Sequence, residues 1–373
     1  MHRTRSVVSS VAGPLIGLGA LLLGAGCGQL WRPFLETVEP TACEPGATYD
    51  GCGADLGVPQ DLGPPGPWEV IPTNTAYALR AIWGYDTEQA IFLGGDAGTL
   101  LSWRPATGVQ PEVLAPRAKP EVINALSGWN LATAPGPVVA AGAPNLLVYY
   151  TGSQWRDMSP TTPVGTVLNG VTLTQPGYLF AAGDQGALYS GMLGGTLAVA
   201  RVGPSGLGLV TGVATADPST AWITLATGEI FLANGNGTTT RFLQYTGKQL
   251  NGVWAGKPIQ QPLDMGSLTY PYVVGTADTV ARYNGKDFLQ EPLPTGGILA
   301  HEFVAACGNG KGEVWVVGRR GVVFYFNTRE WAELSTGLGE DLLGAWVASG
   351  SSRPWVVGDK GQLLHLRPLR TGV

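Results

Sequence analysis

Two stretches near the C-terminus decide the fold: Leu342-Leu-Gly-Ala-Trp346, and then Trp355-Val-Val-Gly-Asp-Lys-Gly-Gln-Leu-Leu-His-Leu366. Each apolar run is strand length, and Gly358-Asp-Lys-Gly361 is a turn between two of them. The same pattern stands near the other end of the chain, as Leu79-Arg-Ala-Ile-Trp-Gly84 followed by Ala90-Ile-Phe-Leu-Gly-Gly-Asp-Ala-Gly-Thr-Leu-Leu101. Aligning the residue that ends the second apolar run gives Gly95, Gly142, Gly183, Leu225, Gly275, Gly318 and Gly358. Their spacings are 47, 41, 42, 50, 43 and 40 residues, a period that belongs to propellers or solenoids.

Three residues before each anchor stand Phe92, Val139, Phe180, Trp222, Tyr272, Trp315 and Trp355. Every one is apolar and all but Val139 are aromatic, as expected of a strand that fills a wedge between neighbouring sheets. A third strand follows, as in Val322-Val-Phe-Tyr-Phe326, and a fourth opens on an aromatic at Trp155, Phe242, Phe288 or Trp331. Four short strands per unit make the blade of a β-propeller. The seventh unit lacks a fourth strand, whereas Trp68-Glu-Val-Ile71 precedes the first unit as a spare one. Pairing that spare into the last unit closes the ring and removes the open edge. The expected fold is all-β: a seven-bladed propeller over 67–370. Splitting or merging the weak units at Gly142 and Leu225 would give eight blades or six.

The Gly-Asp-x-Gly turns Gly95-Asp96-Ala97-Gly98, Gly183-Asp184-Gln185-Gly186 and Gly358-Asp359-Lys360-Gly361 resemble the repeats of photosystem-assembly-factor-like and BNR-like propellers, within the wider WD40/YVTN-like group. The resemblance covers the blades and implies the architecture together with a binding or assembly role. It names no client.

Composition agrees with this reading. The 373 residues include 56 Gly, 28 Pro and 12 Trp, and only 13% are charged. Gly and Pro at that density exclude long helices, while 44% apolar residues exclude disorder for most of the chain. A formal charge of −5 gives no electrostatic footprint for nucleic acid.

The N-terminus reads as an address. Arg3 and Arg5 precede an uncharged run from Ser6 to Gly26, the layout of an export signal over 1–26. Its end, Leu23-Gly-Ala-Gly-Cys27, resembles the lipobox of bacterial lipoproteins, which implies that Cys27 is lipidated and becomes the first mature residue. Ordinary signal cleavage and an uncleaved anchor helix are the alternatives. Gly28 after that cysteine points to the outer membrane. The remaining chain carries 20 Lys and Arg against 27 Asp and Glu, a charge of −7. Residues 27–66 are rich in Pro and Gly and read as a tether. Within it Cys43 and Cys52 are spaced for a local disulfide in an oxidising compartment. A metal knuckle is the alternative, but no second Cys or His pair completes it.

Sites are sparse. Asp96, Asp184 and Asp359 are read as structural turn residues, because Asp between turn glycines binds nearby backbone N–H groups. Gly308-Asn-Gly-Lys-Gly-Glu313 is a hairpin turn, since a phosphate loop needs Ser or Thr after the Lys and a helix beyond it. Cys307 lies in an apolar strand and reads as core. His301 and His365 have no marked Ser or Asp partner from which a triad could be built. Candidate partner-binding residues are Lys257, Gln260 and Tyr270, in the insertion that lengthens the fifth unit, and Arg319-Arg320, which replace Asp at the sixth turn. No cofactor or metal motif stands out. The expected function is a non-catalytic protein-binding scaffold, exported and lipid-anchored at the cell envelope and docking an envelope protein partner. The alternatives are an envelope glycosidase or lyase with carboxylates at the channel, and a surface protein with no small ligand.

Overall fold

The computed structural model describes residues 67–114, 120–130, 135–160, 167–174, 177–201, 208–217, 219–236, 238–256, 271–295 and 300–368. The signal segment 1–26, Cys27, the tether with Cys43 and Cys52, and Lys257, Gln260 and Tyr270 lie outside the described residues.

The strands form seven sheets of four antiparallel strands each. Blade one has its inner strand at Leu79–Gly84, its second at Ile91–Gly95, its third at Leu100–Arg104 and its outer strand at Gly108–Pro111. The inner strands of blades two to seven begin at Val122, Leu168, Val210, Leu250, Phe303 and Leu342. Helical geometry among the described residues is confined to three-residue 3₁₀ turns.

Each aligned anchor lies at or next to the end of its blade's second strand, and the reason is steric. In all seven blades the pairing of inner and second strands slips by one residue just after the inner strand enters the ladder. This bulge drives a backbone carbonyl at the start of the inner strand into the anchor. A Cβ on Gly318 would stand well under 3.0 Å from the Glu302 carbonyl, and Gly95, Gly183, Gly275 and Gly358 meet the equivalent carbonyls of Ala78, Val167, Gln249 and Asp341. The residue after the anchor donates its N–H to that same oxygen, at 3.0 Å for Arg319 and 2.9 Å for Asp184. The turns that follow place two consecutive residues at positive φ, such as Arg320 at 60° and Gly321 at 71°. Such turns match the twist of a hairpin, and Gly suits the second of the two positions.

The wedge residues are buried in every blade and each reaches the next sheet. Phe92 meets Trp155 at 5.8 Å, Trp222 meets Phe288 at 5.4 Å and Tyr272 meets Trp331 at 6.3 Å, all edge to face. Trp355 meets Trp103 at 4.7 Å and joins blade seven to blade one.

Ring closure is as expected. Trp68–Val70 pairs antiparallel with Leu364–Leu366 and completes blade seven as its outer strand. Trp68–Val70, Trp155–Asp157, Phe288–Gln290 and Trp331–Glu333 share one pattern, a buried aromatic followed by two exposed residues. The N-terminal segment is thus the missing fourth strand, displaced to the other end of the chain.

Neighbouring inner strands also match each other in size. Trp83 lies over Gly128, Trp346 over Gly84 and Trp254 over Gly308, where a Cβ would collide with the indole. In the next pairs around the ring the Ser127 hydroxyl accepts the Leu173 N–H at 3.1 Å, and Thr172 and Thr215 share a hydrogen bond of 2.7 Å. A large side chain on one blade therefore requires a small one on the next.

Candidate binding mouth

At this bulge one inner-strand residue per blade lines the channel. In blades one to seven these residues are Arg80, Asn124, Asn169, Thr211, Asn251, Val304 and Leu343, and all of them line a cavity of about 690 Å3. Five consecutive blades thus contribute polar side chains and the last two contribute apolar ones. Four of these blades use their polar side chain as a brace. Asn124 donates to the Leu168 carbonyl at 3.2 Å and to Asn169 Oδ1 at 3.1 Å. Asn169 donates to the Val210 carbonyl at 3.0 Å and Asn251 to the Phe303 carbonyl at 2.8 Å. The Thr211 hydroxyl is turned to Thr224, at 3.2 Å from its carbonyl. Because a carbonyl only accepts, each of these three amides must present its nitrogen to the neighbouring blade.

Charged residues stand around the same rim. Arg80 pairs with Asp96 at 2.5 Å, and Arg319 bridges Glu302 at 3.3 Å and Asp341 at 2.6 Å. Hydrogen bonding to Asp341 above all holds the Arg319 guanidinium above its ordinary pKa. Partial burial of Asp341 opposes ionisation, but the Arg320 N–H and the Arg319 guanidinium outweigh it and hold the carboxyl below its usual range. Asp184 and Asp359 line the cavity with Glu302. Asp184 accepts the Val167 N–H at 2.9 Å, which fastens its turn to the entry of its own inner strand.

The residues singled out from sequence therefore separate. Asp96, Asp184, Asp359, Arg319 and Arg320 share the turn face of the disc. Arg319 is held in ion pairs within its own rim, whereas the exposed Arg320 side chain makes no ion pair among the described residues. The insertion 257–270 leaves after Gly256 and returns at Pro271, at the ends of the inner and second strands remote from the turns. Its anchor points thus lie on the opposite face from Arg319-Arg320. Sequence reasoning passed over Arg80, Asn124, Asn169, Thr211 and Asn251. The available signal was their constant place, one residue after the first buried apolar residue of each inner strand.

Neither His301 nor His365 joins a nucleophile among the described residues. His301 meets Asp278 Oδ1 through both its ring Nδ1 and its backbone N–H at 2.8 Å, and its ring packs against Phe303 and Phe324. His365 is buried in the third strand of blade seven, stacked on Trp355 at 3.9 Å. Cys307 is buried in the core and burial pushes its thiol pKa far up, which removes the thiolate that chemistry would need. Gly308–Glu313 is a turn between two strands of blade six. Among the described residues no group of three or more His, Cys, Asp or Glu is placed to hold a metal ion.

The solved neighbours of this structure are β-propellers. Virginiamycin B lyase from Staphylococcus aureus aligns with a TM-score of 0.65 at 11% identity, over 81% of this chain and 100% of that one. YCF48 from Cyanidioschyzon merolae aligns with a TM-score of 0.60 at 16% identity, over 81% and 99%. A structure of YCF48 bound to D1 peptide aligns with a TM-score of 0.61 at 15% identity, over 82% and 97%. Identities this low establish likeness of fold alone. No family model matches the sequence, and no curated protein does.

Proposed function

We propose that this chain is an exported, lipid-anchored envelope protein whose propeller is a non-catalytic docking scaffold for a protein partner. The observation that carries the reading is the closed ring with an open, side-chain-lined mouth, an architecture similar to that of a propeller solved with a bound peptide. A stiff disc presents loops and a mouth in fixed relative positions, which lowers the ordering cost of binding. The export signal and the Leu23–Cys27 stretch support the envelope location and the anchor at Cys27.

The second reading, an envelope lyase or glycosidase, draws on the lyase neighbour and on Asp184, Glu302 and Asp359 at the mouth. In the first reading these carboxylates serve the turns and the rim ion pairs.

The test is purification of the tagged full-length chain from detergent-solubilised membranes, with the co-purifying proteins identified. A stoichiometric envelope protein, lost when 257–270 is deleted or Arg320 is replaced by Glu, supports docking. A clean monomer that turns over a glycan or a lactone substrate overturns docking in favour of the enzyme reading.

A further inference from the structure

Among the described residues three outer strands open on a tryptophan, and two of those indoles are clamped from the blade before. Trp155 Nε1 of blade two donates to Glu112 of blade one at 3.4 Å, and Trp331 Nε1 of blade six donates to Glu291 of blade five at 3.1 Å. Each glutamate directly follows its own blade's outer strand and is itself paired, with Arg104 at 3.1 Å and Arg282 at 2.9 Å. The seam between blades six and seven lacks this clamp. Leu334 takes the place of the glutamate, its N–H bonded to the Val323 carbonyl as that of Glu291 is to Val280, and Tyr325 stands where Arg282 does. Trp68, which opens the closing strand, lies buried in the apolar cluster that includes Leu334, and its Nε1 has no partner among the described residues.

An unpartnered donor in a dry seam favours any state that admits water to it. Trp315 in blade six and Trp355 in blade seven add two more buried indole N–H groups without a partner among the described residues. Chain connectivity points the same way. The outer strands at Trp155 and Trp331 follow their third strands through the turns 151–154 and 327–330. If either detaches, its turn holds it within reach of its ladder. Trp68–Val70 instead pairs with Leu364–Leu366 from the other end of the domain, so no hairpin turn returns it and the entropy of closure is greater.

We propose that Trp68–Val70 is a latch. In the native protein it detaches from blade seven while the other six sheets stay closed. Detachment gives the Trp68 N–H water, and it bares both the Leu364–Leu366 edge of the ladder and the apolar slot that Trp68 fills. An open ladder edge beside an apolar slot is what an extended strand docks against. The ring thus has one seam that opens first, and it is the seam that the N-terminal strand closes. The inference goes beyond the docking reading and does not depend on it.

Hydrogen exchange of the full-length chain in detergent at neutral pH, read by mass spectrometry, compares two equivalent outer strands. The Ile71 N–H meets the Leu363 carbonyl at 2.8 Å and the Leu334 N–H meets the Val323 carbonyl at 2.9 Å, so backbone bonding alone predicts equal protection. The expected result is exchange at residues 69–71 at least about tenfold faster than at 332–334. Trp68→Phe and Trp331→Phe remove the same atoms, so the difference between them reads the indole N–H. Trp331→Phe breaks the bond to Glu291 and should speed exchange at 332–334 about tenfold. In Trp68→Phe the loss of the unpartnered donor offsets the lost volume, and exchange at 69–71 should change by under about twofold. Equal protection of the two strands in the wild type overturns the inference. So does an acceleration in Trp68→Phe as large as that in Trp331→Phe.

Discussion

Acidification from about pH 7.5 to about pH 5 adds a proton to His365 in the unfolded chain but not in the folded one. Burial first, and then the neighbouring Arg353 guanidinium, push the imidazole from its ordinary 6.5 down to about 4. Its ring is stacked on Trp355 at 3.9 Å, Arg353 Nη2 stands 3.3 Å from Nδ1, and Nε2 is buried without a partner among the described residues. A depressed base contributes stability that is fully present above its unfolded pKa and is lost as the pH falls toward the folded one. The gap of about 2.5 units caps the loss near 3 kcal/mol at 1.36 kcal/mol per unit. At pH 5 the unfolded side is almost fully protonated and the folded side barely so, which gives a loss of about 2 kcal/mol. That is a large share of the stability of a typical domain, and His365 sits beside the ring-closing strand, opposite Glu69. Urea unfolding of the wild type and of His365→Phe at both pH values isolates the effect, because the two proteins differ only at residue 365. The wild type should lose about 2 kcal/mol more than the variant between the two conditions. Equal losses within about 0.5 kcal/mol would refute the assignment and place the acid response elsewhere.

Three further outcomes are expected. Gly318→Ala forces a Cβ against the Glu302 carbonyl and should cost at least about 2 kcal/mol in urea unfolding, well above an exposed Gly→Ala change. Gly128→Leu should be strongly destabilising beneath Trp83, and Trp83→Ser should recover part of the loss, because the double variant recreates the Ser127–Leu173 arrangement of the adjoining blades; a coupling energy below about 0.5 kcal/mol in the double-mutant cycle would contradict size matching. Cys307 should resist a thiol reagent in the native protein at pH 8 and react at once in denaturant; rapid native labelling would show that its burial is transient.

Much of this architecture was legible in the one-dimensional pattern, and the bulge explains why. A collision that repeats in six of the seven blades favours glycine at Gly95, Gly142, Gly183, Gly275, Gly318 and Gly358, so a three-dimensional constraint is written as a letter at a nearly constant period. The wedge aromatics are legible for a related reason. Each blade fills the same gap, and hydrophobic burial rewards a large side chain there. Blade four carries Leu225 at the anchor, where the repeat is faint, yet its sheet closes like the rest. There the cooperative packing of neighbours outweighs the local departure.

The mouth was not legible in the same way. Asn124, Asn169 and Asn251 share a place in the repeat, but the chain does not show what they contact until the inner strands are set side by side. Their bonds run to carbonyls in the next blade, 44, 41 and 52 residues away, so no local pattern encodes them. The same holds for Arg319. In sequence it is a free cation beside Arg320, and only the turn geometry brings Asp341 and Glu302 to it.

By itself, then, the sequence determined the blade and the strand that closes the ring, because those depend on contacts repeated in register along the chain, while the choice of seven blades over six or eight came from the seven closed sheets. Tertiary structure alone decided which side chains face one another across blades, which face of the disc each loop occupies, and which charges of the rim pair. Those contacts join residues that the chain separates by whole blades. They become specific only when the ring is closed and each polar atom must find its partner or face water.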